Sequence, residues 1–181
     1  MEQNQEKEWV ARARRGDRGA VACLVDRYER EIFTYLFRMT RNVEDARDLT
    51  QEVFIKVFRK ISGFRGDSGF RTWLYRVATN HALNFLKRRP PAASDVPLTY
   101  LSDPALSAAV ALERRDMASH VTRAVQALPR RQKAVVVLRV QEGLTYAEIA
   151  RVLDCSVGNC KAAYHNAVKR LREILKNEAI L

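Results

Sequence analysis

Past Ser156, the residues Gly158, Asn159, Lys161, Ala162, His165 and Asn166 fall at helical spacing off an apolar stripe. Such a face can read base edges in a major groove. The two-pronged amide of Asn159 matches adenine, while Lys161 and the later Lys169, Arg170 and Arg172 suit phosphates or guanine. A second set, Arg71, Arg76, Asn80, Asn84, Lys87 and Arg88, lies opposite the apolar stripe of another helical stretch. It is accompanied by Trp73 and preceded by the turn Phe64-Arg65-Gly66-Asp67-Ser68-Gly69-Phe70. Amides and cations beside aromatics serve unpaired bases best, because stacking and hydrogen bonding to exposed edges both need the bases splayed out. Two plainer readings stand beside these: a helix-turn-helix that never touches DNA, and a solvated face with a core tryptophan.

Other chemistry finds little support. Cys155, Cys160 and His165 are the residues on which a metal site could be tried. Five residues of helix rotate by about 500°, so Cys160 and His165 stand about 140° apart and cannot converge on one zinc without bending the helix. Cys160 reads as core, and His81 falls on an apolar face where a satisfied core histidine is the commoner case. The carboxylates of Glu44–Glu52 have no nucleophile or phosphate loop nearby. We therefore expect no catalytic residue, no metal and no cofactor.

The whole chain fits a nucleic-acid partner. Its 181 residues carry 32 Lys and Arg against 21 Asp and Glu, a net charge of +11, which favours a polyanion through phosphate contacts and counterion release. Residues 1–89 hold a net +7, residues 90–127 a net −1 and residues 128–181 a net +5. No apolar run approaches the ~20 residues that span a bilayer, and Met1–Glu8 is too polar for a secretory signal. A cytoplasmic protein is expected. Three cysteines without a CxxC pair argue against a disulfide scaffold or zinc ribbon and fit a reducing compartment.

The elements that must position these groups are helices, since apolar residues recur at three- and four-residue intervals without β-alternation. One stripe comprises Leu24, Tyr28, Ile32, Tyr35, Leu36 and Met39, and another Ala46, Leu49, Val53, Phe54, Val57 and Ile61, with Asn42 as N-cap. A third helix from about Gly69 to Lys87 is expected to turn Leu74, Val77, Ala78, His81 and Phe85 inward. Pro90, Pro91, Pro97 and Pro104 cannot continue a helix. We assign 1–89 to a first domain, 90–110 to a flexible linker and 111–181 to a second domain. A helix marked by Leu106, Val110, Met117, Val121, Val125 and Leu128 begins at the end of the linker, runs into the second domain and is stopped by Pro129, followed by a helix over roughly Arg131–Gln141 ending at Gly143. Thr145-Tyr146-Ala147-Glu148 forms a capping box for a short helix with Ala147, Ile149, Ala150 and Leu153 facing in. Ser156 then caps a longer helix with Val157, Cys160, Tyr164, Ala167, Leu171 and Ile174 at core spacing. The fold class is all-α, two small helical domains, the second a helix-turn-helix.

Four segments in series carry a family resemblance: Asp45-Ala46-Arg47-Asp48-Leu49-Thr50-Gln51-Glu52-Val53-Phe54, Phe70-Arg71-Thr72-Trp73-Leu74-Tyr75-Arg76-Val77-Ala78-Thr79-Asn80, Ala127-Leu128-Pro129-Arg130-Arg131-Gln132 and Thr145-Tyr146-Ala147-Glu148-Ile149-Ala150. In this order the chain resembles the extracytoplasmic-function (ECF) group of bacterial sigma factors. The resemblance implies an alternative promoter-specificity subunit that binds core RNA polymerase through its clamp coiled coil and flap, binds promoter DNA and is held by an anti-sigma factor. It implies polymerase docking by Asp48, Gln51, Glu52 and Ile55. It implies capture of the melted −10 strand by Phe64, Arg71, Trp73, Arg76, Asn80, Asn84 and Lys87. Duplex −35 reading falls to Ser156, Gly158, Asn159, Lys161, Ala162, His165, Asn166, Lys169 and Arg170. Neither membrane insertion nor a small-molecule substrate is implied.

The chain also departs from the family pattern. Where these factors commonly show Ser-Val-Gly-Thr-Val-Lys-Ser-Arg and then Leu-His-Arg-Ala-Arg, it has Ser156-Val157-Gly158-Asn159-Cys160-Lys161-Ala162-Ala163 and then Tyr164-His165-Asn166-Ala167-Val168. At least three usually basic positions are neutral, so an unusual −35 sequence is expected. A free-standing repressor or activator is the competing reading; such proteins dimerise to match paired half-sites, and no coiled-coil seam is evident here.

Overall fold

The computed structural model describes residues 2–88 and 120–178. The fold is all-α, with no strand among the described residues. The linker assigned to 90–110 and the start of the helix expected from Leu106 lie outside them.

In the N-terminal part, α1 (Glu2–Arg14), α2 (Arg18–Thr40), α3 (Val43–Lys60) and α4 (Phe70–Arg88) follow one another, with a 3-10 turn at Ile61–Gly63. Helix α1, which the apolar pattern does not single out, buries Val10 and Ala13, and its Glu6 accepts a hydrogen bond from the Tyr28 hydroxyl. The Asp17 side chain caps α2 by accepting from the Ala20 amide, and Asn42 caps α3 by accepting from that of Asp45. Both expected stripes are buried in full. Leu36 is fully enclosed, so Leu36→Ala would cost about 2–5 kcal/mol of stability.

Helix α4 departs from its expected orientation. Tyr75, Thr79 and Ala82 are buried, whereas Val77, His81 and Phe85 are half-buried. It packs against α2, α3 and a helix of the C-terminal part, so it buries more than one stripe. The Tyr35 hydroxyl meets Thr79 Oγ1 at 2.7 Å, and the Tyr35 and Tyr75 rings pack edge to face. His81 contacts Glu52 and Lys56 rather than lying in the core.

In the C-terminal part, residues 120–126 are helical (α5). Helix α6 (Arg130–Val136) continues as a π-turn over Val137–Gln141, closed by the Glu142 amide donating to the Val137 carbonyl at 3.1 Å. Gly143 follows at φ +70, a left-handed conformation that a glycine adopts without penalty. Helix α7 (Tyr146–Leu153) opens on the expected capping box and ends at left-handed Asp154. Ala147 is exposed, because two residues of helix turn it about 200° from buried Ile149. In α8 (Val157–Glu178), Val157 is exposed and the helix first meets the core at Cys160.

The two parts are docked. One apolar cluster runs from Leu36 and Leu74 to Leu138, Leu144, Ile149 and Val152, and α4 against α7 is the largest contact between the parts.

Candidate nucleic-acid interface

The helix-turn-helix face stands as the pattern requires. Ser156 Oγ accepts the Asn159 backbone amide at 3.1 Å, capping α8 at its start. Gly158, Asn159, Lys161, Ala162, His165, Asn166, Lys169 and Arg170 are all exposed, as is Ser156, while Cys160 and Ala167 are buried on the opposite side. An open groove of about 690 Å³ runs along this outer surface between Tyr146 and α8, lined by Lys161, His165, Lys169 and Arg172. Its cations fit a phosphate backbone, and the exposed amides of Asn159 and Asn166 fit base edges.

The α4 set divides. Arg76, Asn80, Asn84 and Lys87 are exposed and form one polar, basic strip. Phe64 is buried at 7% exposure. Its ring lies edge to face with Phe70 at 6.0 Å and tilted against Trp73 at 5.2 Å, so it is a core residue rather than an exposed stacking surface. Trp73 is half-buried on this cluster.

Arg71 is engaged at the seam between the two parts. Its Nε donates to Glu31 Oε1 at 2.6 Å and its Nη2 to the Glu142 carbonyl at 3.0 Å. Burial opposes its charge, but the Glu31 hydrogen bond and the fields of Tyr75, Glu31 and Glu142 outweigh it and raise its pKa. The Tyr75 hydroxyl sits between Glu31 Oε1 at 2.8 Å and Glu142 Oε2 at 2.6 Å, and Arg38 Nη1 pairs with Glu142 Oε1 at 2.7 Å. Burial first, then the two carboxylates, pushes the Tyr75 phenol well above the ordinary tyrosine range. Nearby, Lys133 Nζ donates to the Met39 carbonyl and to Gln126 Oε1, each at 2.9 Å. Burial, with the charges of Arg130 and Arg41, lowers Lys133 to about 8. Sequence reasoning passed over Glu142 and Lys133, since each looks like a solvated charge until the partner 94 to 104 residues away is known.

On α3, Asp48, Gln51, Glu52 and Ile55 are all exposed, and Phe58 adds a half-exposed ring one turn beyond Ile55. Phe58 was also passed over; its signal is an aromatic placed off the buried stripe. Among the described residues no three His, Cys, Asp or Glu gather as a metal site, and no helix is long and apolar enough to cross a membrane.

Residues 24–90 match the Sigma-70 region 2 family and residues 120–171 the Sigma-70, region 4 family. The chain is 36% identical to the RNA polymerase sigma-H factor of Pseudomonas aeruginosa, over 97% of this chain and 96% of that protein. It is 37% identical to the ECF RNA polymerase sigma-E factor of Haemophilus influenzae, over 98% and 96%. The fold resembles that of the sigma factor RpoE in its complex with the anti-sigma factor NepR from Bartonella quintana, with a TM-score of 0.66 and 19% identity over 86% of this chain and 96% of that one. The chain belongs to the ECF group of the sigma-70 family of RNA polymerase sigma factors.

Proposed function

We propose that this protein is an alternative sigma factor that binds core RNA polymerase in the cytoplasm, selects promoters, melts them and starts transcription under the control of an anti-sigma factor. The observation that carries this reading is the 36% identity to a sigma factor along 97% of the chain. Residues 1–89 serve the polymerase and the −10 element, residues 90–110 connect, and residues 111–181 read the −35 element. Asp48, Gln51 and Glu52 supply an acidic rim and Ile55, with Phe58, an apolar centre for the clamp coiled coil. Arg76, Asn80, Asn84 and Lys87 hold the melted strand, and Trp73 stacks at the edge of the strip with Phe64 supporting it from the core. Arg71 joins them once Glu142 and Glu31 let go. The outer face of α8 enters the duplex, and the same part docks on the flap. Anti-sigma control is supported by the solved complex of RpoE with NepR. Such a factor converts no substrate and needs no cofactor.

The test is run-off transcription with core polymerase on a library of promoter fragments. Specific transcripts that require this protein are the expected result. Duplex binding without any transcript would instead identify a free-standing regulator.

A further inference from the structure

Cys155 and Cys160 stand in the turn of the helix-turn-helix with their sulfurs 3.2 Å apart, Cys155 half-exposed and Cys160 at 0% exposure. With Ser156 as N-cap, Cys155 is the residue before the cap and Cys160 the fourth residue of α8. These are the two positions of a hydrophobic staple, the contact that sets the angle at which a chain enters a helix. Ordinary staples use aliphatic side chains; this one is built from two thiols close enough to bond after a small approach. We propose that Cys155 and Cys160 form a reversible dithiol–disulfide site that reacts with small-molecule disulfides and converts the staple of the recognition helix from a contact into a covalent bond.

The order of events follows from burial. Cys155 is the sulfur an external reagent can reach; its thiolate attacks one sulfur of the disulfide RSSR, forming Cys155–S–S–R and releasing one RSH after protonation. Cys160 then gives its proton to solvent, and its sulfur attacks Cys155 Sγ and expels the second RSH. Two protein thiols are oxidised and one RSSR is reduced to two RSH. Because Cys160 already touches Cys155, the second step needs no further approach by the reagent. Burial is the first cause that pushes the Cys160 thiol up, and it persists once Cys155 carries the mixed disulfide, so the closing step should quicken as pH rises through the neutral range. In a reducing compartment the pair rests as dithiol, and a disulfide formed there is transient.

The experiment uses the full reduced chain and oxidised glutathione. Trypsin releases residues 152–161 as one peptide holding both cysteines. That peptide is expected to lose about 2 Da, the two thiol hydrogens, without retaining glutathione. Free thiols should fall from the three of the reduced chain to one, and dithiothreitol should restore all three. Cys23→Ser should close in the same way, whereas Cys155→Ser should leave peptide 152–161 unoxidised. A peptide that keeps both thiols, a lasting glutathione adduct on Cys155, or oxidation only through Cys23 would overturn the proposal. None of these readouts depends on polymerase or DNA, so failure here leaves the sigma-factor reading untouched.

Discussion

Glu142 and Arg38 lie 104 residues apart in sequence and 2.7 Å apart in space, joining the π-turn after α6 to α2. Glu142 is 5% exposed at its side chain and Arg38 26%, so this contact is shielded from the solvent screening that makes surface ion pairs weak. Through Tyr75 and Arg71 the same glutamate also holds α4. The helix expected to carry single-stranded DNA is thereby tied to the helix-turn-helix in the free protein, and engaging DNA through Arg71 requires that tie to open.

Glu142→Ala is expected to loosen the docking. It leaves Arg38 without its buried carboxylate and Tyr75 with Glu31 alone, which costs roughly 1–3 kcal/mol. For a chain of this size that is a fall of about 2–12 °C in Tm. Small-angle scattering should register a larger radius of gyration than wild type. An unchanged Tm and radius would show that Glu142 contributes nothing to the docked form.

Lys133 gives the docking a pH dependence of definite sign. Its pKa falls from 10.5 in the unfolded chain to about 8 in the fold. Between those values the unfolded chain holds a proton that the folded one has released, so stability rises with pH. Below pH 8 the buried ammonium is charged and its penalty is present in full. Cys160, raised from 9.0 to about 12 in the fold, opposes this rise above pH 9, and above pH 10 Tyr28, Tyr35 and Tyr75, all raised above the ordinary 10, retain protons that the unfolded chain sheds, so stability turns down. Urea midpoints should therefore climb from pH 8 to about pH 9 in wild type and level off above it, where Cys160 opposes Lys133, and the climb should vanish in Lys133→Met. An equal climb in both proteins would assign it to another group.

How far the chain could be read from its residues depended on where each partner lay. Tyr28, Ile32, Leu36 and Met39 are buried by neighbours that follow the same local periodicity, and Thr145 and Glu148 cap α7 from within four residues. The inner face of α4 was misjudged because Tyr75 and Thr79 are buried by α2 and the C-terminal part, contacts that no local window contains. Phe64 looked like a loop aromatic free to stack, yet it completes a ring cluster with Phe70 and Trp73. The outward residues of α8 were legible because an exposed face is the complement of a buried stripe.

Asp48→Arg combined with Glu52→Arg is expected to abolish co-purification with core polymerase at moderate salt. Both side chains are exposed on α3, so reversing their charge repels a basic partner without opening a cavity. The second change removes the hydrogen-bonding contact of Glu52 with His81, in which Glu52 is mostly exposed, at a cost below about 1 kcal/mol. Circular dichroism should match wild type. Undiminished polymerase recovery would remove this face from the docking surface.

Asn80→Ala is expected to slow open-complex formation and change base preference in the −10 element by about 1–3 kcal/mol per lost base contact. Asn80 is exposed midway along α4, so the fold tolerates the change. Trp73 is a poorer probe, since its ring packs on Phe64 and Phe70 and its loss would mix stability with binding. Identical opening rates for wild type and Asn80→Ala on a matched promoter would rule out contact between this amide and the melted strand.

Asn159 and Lys169 should separate base reading from phosphate grip on α8. The cap at the start of the helix is made by Ser156 Oγ with the Asn159 backbone amide, so Asn159→Ala preserves it and should leave Tm unchanged. If the exposed Asn159 amide faces a base edge, its loss should relax −35 preference at one position by about 1–3 kcal/mol. Lys169 is exposed more than two turns further along. Lys169→Ala should weaken every duplex alike and reduce the salt slope by roughly one counterion. Titrating matched and single-mismatch duplexes across a salt series, with the full chain, gives both quantities. Unchanged preference in Asn159→Ala would take Asn159 off the reading face, whereas a position-specific effect of Lys169→Ala would move Lys169 from the backbone to the bases.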